Sequence, residues 1–229
     1  MHRALYPLPA RRPRPRHVQA SVLADIHGTD TVIVHDRYRV YDSLELGEFV
    51  HQLCTQHLLR DLDGAGEVHP DALWPAQIAD ALRELIHEAN LARDTGRDRI
   101  DADVKAALTQ RFRGEVLVGL SDTTSHGNRP GERKARLLLE VLRDRPADVL
   151  RFAEDLRIPP TSNQAERDLR PSKLQQNISG RLTSEKRTQG RYTIRGYVST
   201  AIKHGHKAID VLRDAIIGKP WMPPDAIPT

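Results

Sequence analysis

The run Ser162-Asn163-Gln164-Ala165-Glu166-Arg167-Asp168-Leu169-Arg170 is the most constraining feature of this chain. It sets Glu166 among arginines, behind two residues, Thr161 and Ser162, that suit a helix cap. In a helix, Glu166, Leu169, Arg170 and Lys173 fall at i, i+3, i+4 and i+7, so an acid and two bases share one side. Such an acid can ligate a metal while the bases meet phosphates, or the same residues can form ordinary surface Glu–Arg pairs. Far upstream, Val32-Ile33-Val34-His35-Asp36 is a short apolar run that ends on a second acid. Thr31–His35 reads as a buried strand. A carboxylate at a strand end is held rigidly and opens onto a crevice, which suits metal ligation, although an acid there can also simply begin a turn.

Most of the remaining apolar pattern is helical. Pro75–Ala92 aligns Ile78, Leu82, Leu85, Ile86 and Ala89. Ala102–Phe112 aligns Val104, Ala107 and Leu108, and Glu132–Leu142 aligns Leu137, Leu138, Val141 and Leu142. Pro146–Leu156 opens on a proline, a residue at home in a first helical turn. Phe49–Cys54 reads as a second short strand running into a helix through Leu62, with Asp63-Gly64-Ala65-Gly66 as the break. Ser121–Pro130 reads as a loop. Arg191–Lys203 and His206–Ile217 read as a final helical pair, turned at His204-Gly205 and stopped at Gly218-Lys219-Pro220. Near the start, Val18–Ile26 has the spacing of a short helix stopped at Gly28. Met1–Arg16, rich in Pro and Arg, reads as disordered.

Composition narrows the options. Aromatic residues make up 4% of the 229, so a helix-rich fold is favoured over a sheet sandwich. Cys54 is the single cysteine, which excludes an internal disulfide and a multi-cysteine zinc site and fits a reducing cytosol. No apolar run approaches the roughly 20 residues that span a bilayer, and no apolar segment follows the N-terminal arginines as a secretory signal requires. His51, Cys54 and His57 are spaced by three. They are too few for a strong zinc signal and read as structural residues beside a site, with a Cys/His hydrolase the weaker reading. Charge is uneven. Met1–His17 has five arginines and no acid, Val18–Ala165 has 18 basic against 25 acidic residues, and Glu166–Lys219 has 12 against 5. A basic segment that opens with an acid on a helix suits a phosphate-backbone partner or, more plainly, a solvated basic face.

These blocks, in this order, resemble the insertion-sequence 66 family of bacterial DDE transposases. The specific stretches are Ser162–Gly180 (SNQAERDLRPSKLQQNISG), Arg191–Ala201 (RYTIRGYVSTA), Ile209–Pro220, Ile33–Ser43 (IVHDRYRVYDS) and Leu53–Leu62 (LCTQHLLRDL). The resemblance implies an α/β fold, predominantly helical overall, with a partial ribonuclease-H-like core and a large helical insertion. Its implied divisions are a leader at 1–17, core with the second acid at 18–62, the helical insertion at 63–160, core with the third acid at 161–220 and a tail at 221–229. It implies three acids that hold two Mg²⁺ ions, with Mn²⁺ as a substitute, for phosphoryl transfer on DNA. Asp36 matches the second acid and Glu166 the third. Arg167, Arg170, Lys173, Arg181, Lys186, Arg187 and Arg191 would face DNA, and Cys54 and His57 match a Cys-x-x-His motif whose role is structural.

The resemblance departs at the first acid. Met1–Ala24 contains no Asp or Glu, and Asp25 and Asp30 flank a helix end and a strand start. The expectation is a truncated transposase, cytoplasmic and associated with the nucleoid, with DNA (element ends and target) as its partner and no membrane. It would be inert for lack of the first Asp. The alternative is a non-catalytic DNA-binding remnant, or an inhibitor, acting with full-length transposase or accessory element proteins.

Overall fold

The computed structural model describes residues 31–42, 49–123, 130–176 and 184–223. The expectations for Met1–Arg16, for Val18–Ile26 with Gly28, for Asp25 and Asp30, and for Arg181 lie outside them. The described residues hold two β-strands, β1 (Val32–His35) and β2 (Val50–Leu53), and eight α-helices. The helices are α1 (Thr55–Val68), α2 (Trp74–Asp94), α3 (Ala102–Asp122), α4 (Pro130–Asp144), α5 (Pro146–Glu154), α6 (Asn163–Gln176), α7 (Glu185–Lys203) and α8 (Ala208–Ile216). The described residues are thus mainly helical with one small sheet, and both strands fall where the apolar runs place them. Among the described residues no helix is long and apolar enough to cross a membrane.

Two compact units divide the chain, one spanning Ile26–Asp168 and the other including Leu169–Thr229. In the first, β1 and β2 pair in parallel with Val32 opposite Val50 and His35 opposite Leu53. Helices α1 to α5 supply its core. Leu58 and Leu62 of α1, Ile78, Leu82 and Leu85 of α2, Phe112 of α3, Leu139 and Leu142 of α4, and Phe152 of α5 are all buried in it. Helix starts follow local chemistry. Asp101 accepts from the backbone N–H groups of Asp103 (3.0 Å) and Val104 (3.1 Å) at the start of α3, and prolines occupy the first turns of α2 and α5.

Two expectations need correction. Gly64 and Gly66 do not break α1, which continues to Val68. A glycine costs a helix up to about 1 kcal/mol. Burial of Leu58, Leu62 and Ala65 on one face outweighs that, and the helix closes where His69 N–H donates to the Ala65 carbonyl. Nor does a loop begin at Ser121: α3 extends to Asp122 and α4 opens at Pro130. Residues 124–129 lie outside the described set.

The longer α3 is anchored by Trp74, which is buried and donates from Nε1 to Asp122 Oδ2 at 3.1 Å. Gly119 sits beneath this ring. A Cβ there would lie 2.8 Å from Leu139 Cδ2 and 2.9 Å from Trp74 Cδ2. Helix propensity alone favours alanine by up to about 1 kcal/mol. The contact with a rigid, fully enclosed ring overrides it, so Gly119→Ala should cost about 2 kcal/mol net through overpacking. Urea denaturation checks the sign; a stabilised variant would show that the ring and Leu139 move aside freely.

In the second unit α7 and α8 form the expected pair. Ser184 begins α7 by accepting from Arg187 N–H. Gly205 (φ 85°) makes the turn between them, with Gly218 (φ 81°) closing α8. Ala201 and Val211 are buried between them. The Tyr197 hydroxyl donates to the Val211 carbonyl (3.2 Å) and accepts from Trp221 N–H (2.9 Å). The Trp221 ring packs on His204 and His206.

Candidate metal site at the sheet edge

The parallel register decides which side chains meet. Beyond the His35–Leu53 pair, the next residues are Asp36 and Cys54, and Cys54 N–H donates to the His35 carbonyl at 2.8 Å. Asp36 and Cys54 therefore leave the same carboxyl edge of the sheet side by side. Functional groups gather at such edges in parallel sheets, because the strand ends point them into a common crevice. Asp36 is exposed, and its carboxylate makes no hydrogen bond or ion pair with another described residue. Directly after it, Arg37 adopts φ 63°, a left-handed conformation that costs a residue bearing a Cβ energy. That bend turns Arg37 inward to an ion pair with Asp61 of α1, which also binds Lys134 at 3.1 Å. The bend thus separates the carboxylate, left facing out, from the guanidinium, drawn in. Burial pushes the Arg37 pKa below its ordinary value.

Glu166 lies on the first turn of α6. Its Oε1 accepts from the Ser162 hydroxyl at 3.2 Å and stands 3.7 Å from His57 Nε2. Ser162 N–H donates to Cys54 Sγ at 3.3 Å. Cys54, His57 and Glu166 consequently offer ligand atoms that all lie within 4.8 Å of one another. The segment leading to Glu166 is tied down along its length. Arg93 donates to the carbonyls of Leu156 (2.7 Å) and Ile158 (3.0 Å), and Thr55 donates to the Pro160 carbonyl from both its backbone N–H (2.9 Å) and its hydroxyl (3.0 Å). Both partners of Glu166 act on Oε1, so among the described residues Oε2 is left without a partner.

The chemistry of these donors separates two kinds of ion. A carboxylate oxygen, as on Glu166 or Asp36, suits a hard divalent ion such as Mg²⁺ or Mn²⁺, but Asp36 does not join the group that holds Glu166. The sulfur, nitrogen and oxygen set of Cys54, His57 and Glu166 fits a borderline ion such as zinc.

A second cluster was not foreseen from the sequence. His35, Asp42 and His51 bring one ligand atom each to within 4.8 Å. His35 Nε2 lies 3.1 Å from His51 Nδ1, and Asp42 binds Arg145 at 2.9 Å. Burial, then the neighbouring His51, lower the His35 pKa to about 4. Burial also lowers that of His51. Both imidazoles are therefore neutral at pH 7; Asp42 is paired with Arg145, while His35 Nδ1 is buried without a hydrogen-bond partner among the described residues. The cluster's only sequence signal is the polar residue at alternate places in apolar strands, too common to single out.

The basic residues expected to face DNA are distributed as follows. Arg167 and Arg170 are exposed on α6, Lys173 lies in the same helix, and Lys186, Arg187 and Arg191 are exposed on α7.

The fold and this edge define a mainly helical protein with a small parallel sheet, one acid ending a strand and another opening a later helix. The chain matches the family model described as Transposase IS66 family over residues 9–190, more than half its length, and belongs to that family. No curated protein and no solved structure matches it.

Proposed function

We propose that Asp36 and Glu166 are the metal-holding carboxylates of a transposase-type site that acts on DNA. The observation that carries this reading is the strand register, which sends Asp36 and Cys54 out of one sheet edge while Cys54 Sγ holds Ser162, four residues before Glu166. Parallel strands followed by α1, with the third acid on a later helix, support a partial ribonuclease-H-like core. The inserted α2 to α5 fit the helical insertion that the family resemblance implies.

A divalent ion bound there would polarise a phosphate oxygen and activate an attacking oxygen. The residues themselves do the rest. Asp36, unpaired and exposed, and the free Oε2 of Glu166 offer hard oxygen donors. Arg167 and Arg170 can contact backbone phosphates. Lys186, Arg187 and Arg191 extend the same sequence-independent attraction for DNA.

Mn²⁺ titration of the purified chain, read by electron paramagnetic resonance, tests the reading. Asp36→Asn and Glu166→Gln should each weaken binding at least tenfold, by removing a charged ligand. Unchanged affinity in both variants would sink it. Among the described residues Glu166 is the one carboxylate of the Cys54–His57–Glu166 group, and Asp36 lies outside it. With two acids rather than three, we expect metal binding without strand cleavage. Cleavage of element-end DNA with Mn²⁺, abolished by Glu166→Gln, would overturn the inert reading.

That Glu166 is the one grouped carboxylate there among the described residues also favours a second reading, a non-catalytic DNA-binding protein. It requires DNA affinity that survives loss of both acids. Neutralising Lys186, Arg187 and Arg191 should then reduce the salt dependence of binding by up to about one per residue.

A further inference from the structure

We propose that the Cys-x-x-His segment opening α1 is a positioning clamp for Glu166, with Cys54 acting through its hydrogen bond to Ser162 and His57 through its ring beside the carboxylate, rather than as ligands of a separate structural metal. This rests on the reading of Glu166 as a metal-holding carboxylate.

The argument begins with what a short helix start can reach. Cys54 is the residue before α1, and Thr55 and His57 are its first and third residues. Cys54 and Thr55 are fully buried, at 1% and 0% exposure. Buried polar groups are paired, and these pair with one stretch of chain. Thr55 holds the Pro160 carbonyl with two hydrogen bonds, and Cys54 Sγ accepts from Ser162 N–H. Ser162 then donates from its side chain to Glu166 Oε1. His57 Nε2 approaches the same oxygen from α1, at 3.7 Å. One carboxylate oxygen is thus held by the Ser162 hydroxyl with the His57 ring beside it, and among the described residues the other has no partner.

The zinc alternative asks these groups to do something else. A zinc thiolate stands about 2.3 Å from its ion, and zinc takes four ligands. The described residues supply three, and the sulfur already accepts an amide N–H. Zinc would also capture Glu166, the carboxylate that a hard ion needs. Partners of ligating carboxylates orient them, and their loss typically costs ten- to a hundredfold in metal affinity.

Two pairs of variants test the clamp. Cys54→Val keeps the size of the side chain and removes the acceptor, while Cys54→Ser restores one. His57→Leu removes the ring nitrogens, while His57→Gln returns a nitrogen donor near the Nε2 position. Mn²⁺ affinity of the full chain is measured for all four, with thermal unfolding alongside. Cys54→Val and His57→Leu should weaken Mn²⁺ binding about tenfold with little change in melting, and Cys54→Ser and His57→Gln should recover most of the loss. Rescue by the polar variants separates positioning from packing. Wild-type affinity in Cys54→Val and His57→Leu, with Glu166→Gln still impaired, would overturn the clamp and leave the carboxylate reading standing. Wild-type affinity in Glu166→Gln would overturn both. One zinc per purified chain, lost in Cys54→Val, would overturn the clamp in favour of direct ligation.

Discussion

Gln52→Leu should destabilise the unit containing the sheet by about 3 kcal/mol, although leucine is nearly the same size. Gln52 is fully buried in β2. Its Nε2 donates to the carbonyls of Val149 (3.0 Å) and Leu53 (2.7 Å), and its Oε1 accepts from Phe152 N–H (2.8 Å). One amide therefore joins the strand to α5, helped by Arg151 Nε donating to the His51 carbonyl at 2.8 Å. Leucine fills the space and leaves a buried carbonyl and amide without that partner, at about 1–3 kcal/mol each. Against a typical total of about 5–15 kcal/mol this is a large fraction. Urea denaturation with an unchanged slope measures it. A loss below about 1 kcal/mol would mean that Phe152 and Val149 satisfy each other within α5. Because β2 also delivers Cys54 to the sheet edge, the same variant should weaken Mn²⁺ binding under conditions where it remains folded.

The elements themselves were legible in the sequence because each has a local period. The apolar run ending at His35 is a strand, the Pro75 and Pro146 segments are helices, and Glu166 sits on a helix as its spacing requires. The α1 break was misread because propensity is local and burial is not. Gly64 and Gly66 weaken a helix whose other face is already committed to the core. The contacts that define the site were illegible for a related reason. Thr55 and Pro160 are separated by 105 positions, and Cys54 and Ser162 by 108. No period connects such residues; only the packing of α1 against the returning chain does. The Cys-x-x-His spacing was visible, but what its residues hold was not. Similarly, Asp36 could be recognised as ending a strand, whereas its neighbour Cys54 follows from the parallel register.

Stability should fall by about 2.5 kcal/mol between pH 7 and pH 4.5 through His35 alone. The imidazole is buried, at 3% exposure, and its pKa is lowered to about 4 from an ordinary 6.5. The first cause is burial, which disfavours the charged ring; His51 and Arg145 act in the same direction, while Asp42 and Asp36 oppose them. The Tyr41 ring packs beside it, 4.9 Å between centroids, and adds no charge while it stays protonated. The sign follows from proton counts. Between pH 6.5 and 4 the unfolded chain binds a proton at this position and the folded chain does not, so acid favours unfolding. The full contribution is present above about 6.5, declines as pH falls, and is exhausted near 4. His51, lowered in the same direction, steepens the decline. Carboxylates titrate lower in this window, so the measurement is a difference. Urea unfolding is followed from pH 7 to 4.5 in metal-free buffer for the wild-type chain and for His35→Gln. Glutamine keeps a polar group beside His51 and cannot charge. The gap between the two chains should narrow by about 2.5 kcal/mol over the interval, the variant losing less. A constant gap would show that His35 takes up its proton without opening the strand pair. The surroundings of His35 would then be wet enough to carry the charge, and the sheet edge bearing Asp36 would be more open than its buried neighbours indicate.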